Sequence, residues 1–118
     1  MTAGAEPFAS EQRALCAIWN AEFMATPFSL LIGISRTFSR TTFPVNGLRH
    51  HQNGTASDWF IWSGEYSADG DFFAPLHAAH LLDRCPEIIR YLGLAPGWRF
   101  LLAPQQEDVW FDEQLLRV

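Results

Sequence analysis

The stretch that most constrains the fold is Gly97 to Asp112, GWRFLLAPQQEDVWFD. Trp98, Phe100 and Leu102 alternate with Arg99, Leu101 and Ala103. That period of two is the mark of a strand, whose successive side chains point to opposite faces. Pro104 and the polar run Gln105-Gln106-Glu107 interrupt it, and Asp108-Val109-Trp110-Phe111-Asp112 resumes as a second strand. The reading is a β-hairpin with apolar side chains on both faces, so both faces need a cover.

The rest of the chain is read around that hairpin. Ser10 is placed to cap a helix with Glu11 in its first turn, running to about Met24. Leu15, Ile18, Trp19 and Phe23 form its apolar side, with Glu22 inside the stripe. Thr26-Pro27 ends it. Ser29 to Thr42 is predicted as a long strand, Asn46-Gly47 as a two-residue turn, Leu48 to Gln52 as a return strand, Asn53-Gly54 as a second turn and Asp58 to Ser63 as the next strand. After a loop over Gly64 to Gly70, Asp71 is expected to cap a helix with Pro75 in its first turn, carrying Leu76, His77, His80 and Leu81. A second short helix opens on Pro86 and closes at Gly93, read as its C′ glycine. Ala95-Pro96-Gly97-Trp98 has the form of a type II turn. The order predicts an α+β fold, an antiparallel sheet of about 4–5 strands with three helices packed mainly on one face. A single domain over residues 1–118 is expected, with 1–7 frayed.

Composition narrows the function classes. A hydrophobic fraction of 48% and an aromatic fraction of 14% argue against disorder. Thirteen acids against eight bases, all arginine, give a net charge of −5. That disfavours nucleic acid and suits a basic protein partner or a cationic ligand. Cys16 and Cys85 read as reduced thiols. No basic-then-apolar leader opens the chain, and the longest apolar run, residues 29–35, is too short to span a bilayer. The expectation is a cytoplasmic protein that does not engage a membrane.

Motifs for chemistry are sparse. His77 and His80 stand three apart, a spacing that on a helix presents two imidazoles to one metal, yet no second ligand pair accompanies them. No metal and no cofactor is expected. Glu22 in an apolar stripe needs a donor such as Arg36, Arg99 or an indole. A nucleophile elbow, phosphate loop, dinucleotide fingerprint and zinc-protease motif are all lacking, so no catalytic residue is assigned. Leu31, Phe60, Trp62, Leu101 and Trp110 fall on one sheet face if their strands are in register. Either the first helix covers that face, or it is an interface or ligand groove.

Several motifs in the second half carry a resemblance: Trp62-Ser63-Gly64-Glu65, Pro75-Leu76-His77, Cys85-Pro86, Tyr91-Leu92-Gly93-Leu94, Pro96-Gly97-Trp98-Arg99-Phe100 and Glu107-Asp108-Val109-Trp110-Phe111-Asp112. Over roughly Trp59 to Leu116 the chain resembles the immunity-protein-thirty-three-like family of small bacterial domains. The resemblance implies a non-enzymatic binder of a toxin partner, often encoded on mobile DNA, and carries over no catalytic residue. The expected binding residues are Trp62, Glu65, His77, His80, Arg99, Trp110 and Asp112, on an acidic surface. A homodimer through the sheet face or its edge is a further expectation. The alternatives are a small-molecule binder with an aromatic pocket, or a small enzyme using Glu22 or His80 as base.

Overall fold

The computed structural model describes residues 6–51 and 58–117. In chain order it contains α1 (Glu6–Ile18), β1 (Leu31–Ser35), β2 (Val45–Arg49), β3 (Trp59–Ser63) and β4 (Phe73–His77). A 3-10 turn (Ala78–His80) then leads into α2 (Leu81–Arg84) and a 3-10 helix (Pro86–Tyr91). The hairpin is β5 (Trp98–Ala103) and β6 (Gln106–Phe111), and a last 3-10 helix spans Glu113–Arg117. Among the described residues the strands form one sheet of six in the order β4-β1-β3-β2-β5-β6. The fold is α+β. The sheet is larger than expected, and mixed instead of antiparallel throughout, because β1 and β3 run parallel.

The hairpin stands where the alternation puts it, with Arg99 opposite Trp110 and Phe100 opposite Val109. Its entry is the expected type II turn: Gly97 has φ 99 and Trp98 N–H donates to Ala95 C=O at 3.2 Å. The predicted face also follows from the registers: Leu31, Phe60, Trp62, Leu101 and Trp110 project to the same side.

Several local readings are corrected. The first helix ends at Ile18 instead of Met24, because Asn20 adopts φ 56. Ala21 N–H then reaches Cys16 C=O and Asn20 N–H reaches Ala17 C=O, a Schellman ending in which asparagine takes the left-handed position. The helix also starts earlier, at Glu6; residues 1–5 lie outside the described residues. The long strand shrinks to Leu31–Ser35, since Phe38 N–H and Thr42 N–H close turns on Ser35 and Ser39 C=O. Asn46-Gly47 is no turn but the middle of β2, where an added Cβ at Gly47 would overlap the Phe100 ring. Its predicted return strand ends at Arg49, and the Asn53-Gly54 turn lies outside the described residues. The helix expected after Asp71 is strand β4 on the sheet edge, where proline is tolerated because its missing N–H faces away from the sheet. Gly93 is not a left-handed cap either: an added Cβ would lie 2.8 Å from Gln12 Cβ, so a close approach of α1 requires it.

Ile32, Ile34, Trp59, Ile61 and Phe100 form the sheet side of the core. Leu81, Ile88, Ile89 and Tyr91 pack onto it from the short helices, with Tyr91 stacked on Phe100 at 4.3 Å between centroids. α1 packs in turn on the 86–91 helix, and Gln12 Nε2 donates to Ile89 C=O at 2.9 Å. The first helix therefore does not cover the Trp62 face. That face is covered in part by Tyr66 of the β3–β4 loop, which meets Trp62 edge-on at 5.4 Å, and is flanked by Phe73 at the start of β4, edge-on to Trp62 at 6.2 Å. No helix among the described residues is long and apolar enough to cross a membrane.

Candidate interaction surface

At the hairpin end of the sheet, cross-strand pairing sets Arg99 beside Trp110. The guanidinium lies 5.3 Å from the Trp110 ring centroid, a cation–π contact, and Arg99 Nη1 donates to Asp112 Oδ2 at 3.2 Å. Trp110 keeps 37% of its surface exposed and Phe111, on the other face, keeps 48%. Acids line the same strand. Gln106 Nε2 donates to Asp108 at 3.0 Å. Glu107 accepts from Arg90 Nη2 at 3.0 Å and from the Tyr91 hydroxyl. Burial, then the Glu107 bond, holds the Tyr91 phenol above its ordinary pKa. Glu113 pairs with Arg117 one helical turn on. Each nearby arginine is thus matched to a carboxylate, and Asp108 has a neutral amide for company. The patch is apolar and acidic, its side chains tied by ion pairs and hydrogen bonds.

The expected site residues do not form one cluster. Arg99, Trp110 and Asp112 come together on the hairpin. Trp62 sits on β3 in the middle of the sheet and is only 6% exposed. Glu65 is exposed on the loop that follows it. With Leu48, His50, Phe60, Tyr66 and Phe73, Trp62 lines an open aromatic groove of ≈ 200 Å³. His50 Nδ1 donates to Leu115 C=O at 3.0 Å, a bond that anchors the last 3-10 helix near this groove. His77 and His80 are exposed at the opposite sheet edge, ~24 Å from β6 at five strand spacings. Their rings stack at 6.1 Å between centroids. His77 ends β4 and His80 lies in the following 3-10 turn, so the helical geometry that would aim both at one ion is absent. Among the described residues no group of three His, Cys, Asp or Glu side chains is placed to hold a metal ion.

Glu22 is exposed, because the helix stops short of it and the apolar stripe through Ile18 and Phe23 does not form. Ile18 itself is 78% exposed; Gln12, Leu15 and Cys16 face inward instead. The donors considered for Glu22 are engaged elsewhere, Arg36 with Asp71 C=O and Arg99 with Asp112.

Two polar clusters carry no signal in the residue pattern. Arg49 and Asp58 form a buried ion pair at 2.9 Å, 3% and 2% exposed. Cys85 sits 3.8 Å from Glu87, which also pairs with Arg40. Burial first, then the Glu87 charge, pushes the Cys85 thiol up to about 11. Alternation on β2 alone cannot announce the first cluster, because an arginine on an inward position reads as an interruption until its partner strand is known.

A family model described as Imm33-like domain matches residues 11–112. The match runs from α1 to the end of the hairpin, so the likeness is not confined to the second half as the motifs implied. No curated protein and no solved structure gives a significant match.

Proposed function

The chain belongs to the Imm33-like domain family, and on that premise we propose that it is a non-enzymatic immunity protein that binds a toxin partner through its acidic, tryptophan-containing hairpin. The observation that carries the reading is that Trp110 and Phe111, exposed on opposite faces of an outer strand, stand between Glu107 and Asp108 on that strand and Asp112 and Glu113 just after it. Large aromatics in a well-held patch are what interface anchors are made of, and surrounding acids steer a basic partner toward them. The net charge of −5 acts in the same sense over longer range. Neither Glu22 nor His80 lines the aromatic groove, which favours binding over catalysis. The groove, at ≈ 200 Å³, is smaller than the ~300 Å³ at which small-molecule sites begin, so a side-chain-sized group suits it better than a free ligand. The same reading places the protein's work in the cytoplasm, with no nucleic acid and no cofactor.

The test is co-expression with the protein encoded by the neighbouring gene. Growth of the host should be rescued by the chain, and the two purified proteins should co-elute. Trp110→Ala should weaken the complex by about 2 kcal/mol, the loss typical of an anchor residue. A neighbour-encoded protein that neither binds nor is neutralised would overturn the proposal.

A further inference from the structure

The two edges of the sheet are not equivalent. On β4, Arg36 N–H bonds Phe72 C=O and Ala78 N–H bonds Leu30 C=O, which fixes the phase of the ladder with β1. Antiparallel pairing alternates, so residues 73, 75 and 77 turn their backbone groups away from the sheet. The central one is Pro75, which has no N–H, and that edge therefore lacks its middle donor. On β6 the phase is set by Asp112 N–H donating to Gly97 C=O at 2.7 Å. Here Glu107, Val109 and Phe111 turn outward, and each has an N–H to give. β6 contains no proline and no lysine, and no strand lies beyond it among the described residues.

The side chains along that open edge are sorted by face. Asp108, Trp110 and Asp112 project to one side; Glu107, Val109 and Phe111 project to the other. A strand laid alongside would meet Asp108 and Asp112 with Trp110 between them on the first side, and Val109 and Phe111 preceded by Glu107 on the second. Its best complement alternates basic and apolar residues, since opposite charges and apolar pairs across neighbouring strands are the favourable ones. We propose that β6 is where an extended segment of the protein partner adds to the sheet as a further strand, with basic side chains beside Asp108 and Asp112 and apolar ones beside Val109 and Phe111. This rests on the immunity reading and specifies how the partner is held: backbone hydrogen bonds supply adhesion and the alternation supplies choice. A second copy of the chain is the poorer occupant. Each copy carries −5, and a two-fold pairing centred on Val109 sets Asp108 diagonally across from its own equivalent.

The probe is a capped peptide alternating lysine and valine, as long as β6 at 6 residues. Amide hydrogen exchange is followed by NMR on the full chain. With peptide in excess, exchange at Glu107, Val109 and Phe111 should slow ~10-fold or more, while Asp108 and Trp110, already bonded to β5, should change little. The effect should fade with added salt and with Asp108→Asn. The same peptide N-methylated at alternate residues, so that its pairing donors are gone, should give no slowing. The proposal is overturned if the outward amides stay unchanged, if the methylated peptide works equally well, or if those amides are already protected in a free chain that light scattering shows to be a dimer. Partner and mode separate cleanly. Binding of the neighbour-encoded protein with β6 amides still exchanging freely sinks the strand addition and leaves the immunity reading intact. Peptide addition as described, with no neighbour-encoded partner bound, does the reverse.

Discussion

Arg49 is the residue whose replacement should cost the fold most. It closes β2 with its side chain 3% exposed. Nε donates to Asp58 Oδ2 at 2.9 Å, Nη1 to Met24 and Leu94 C=O at 2.7 Å each, and Nη2 to Ala25 C=O at 3.2 Å. One side chain thus joins the α1–β1 connection, the segment before β5, and the start of β3. Arg49→Met keeps most of the stem and removes every donor. Asp58 is left as a buried, unpaired carboxylate, and breaking such a pair costs about 3–5 kcal/mol. Water can reach the carbonyls of exposed Met24 and Ala25, but Leu94 is fully buried and its carbonyl loses this partner. Adding about 1 kcal/mol for that gives a loss of about 4–6 kcal/mol, against a total stability of about 5–15 kcal/mol for proteins of this kind. Asp58→Asn should lose less, about 1–3 kcal/mol, because Arg49 keeps its three carbonyl acceptors. The double variant Arg49→Met, Asp58→Leu should regain much of the loss, since an apolar pair of similar volume often replaces a buried ion pair at little cost. Urea unfolding followed by circular dichroism measures all three. An Arg49→Met loss within about 1 kcal/mol of zero, or Asp58→Asn proving the worse of the two, would refute the argument.

Gly47→Ala should lower stability by about 1–3 kcal/mol, because the new methyl meets a Phe100 ring held in place by Tyr91; an unchanged melting temperature would show that the ring yields. At Asn20, φ 56 suits glycine and penalises alanine, so Asn20→Gly should be near neutral and Asn20→Ala should lose about 1 kcal/mol in the same melts. The raised Cys85 thiol predicts alkaline destabilisation. The native state keeps the proton up to about 11, whereas the unfolded thiol starts to release it near 9.0, so stability is intact below that pH and falls between the two. Urea midpoints measured across that range should decline, and less steeply in Cys85→Ala; equal slopes would remove Cys85 as a cause.

What was legible in the sequence was local. The hairpin declares itself because alternation, the Pro104 break and the Pro96-Gly97 turn all act within a few residues of one another. The failures occur where a distant neighbour decides. Asn-Gly is the strongest short turn signal, yet Gly47 exists to make room for Phe100, which arrives three strands later in the chain. Proline fits the first turn of a helix and the edge of a sheet equally well, and only the strand order says that Pro75 is at an edge. Asn20 is a local signal too: asparagine is the residue besides glycine that tolerates a left-handed helix end, and it stops α1 before Glu22 enters any apolar stripe.

The candidate surface divides along the same line. Arg99, Trp110 and Asp112 are close because a hairpin's register follows from its turn, and the turn can be read. Trp62 shares their face for the same reason of alternation, but its burial depends on Tyr66 in a loop folding back over β3, for which no period exists, and on Phe73 of β4, whose strand is read as a helix. A spacing of three pairs His77 with His80 only on a helix; on a strand end and a 3-10 turn the same spacing has no such meaning. Edge position is the hardest property of all, being defined by the absence of a further strand. Yet the residues anticipate it. β3, with strands on both sides, reads Trp-Phe-Ile-Trp-Ser without a charge, whereas β6 sets Glu107 and Asp108 into a strand that ends in Trp110 and Phe111. Charged residues within a strand are tolerated where one side of it meets water, and two exposed aromatics beside them are the departure from a merely protected edge.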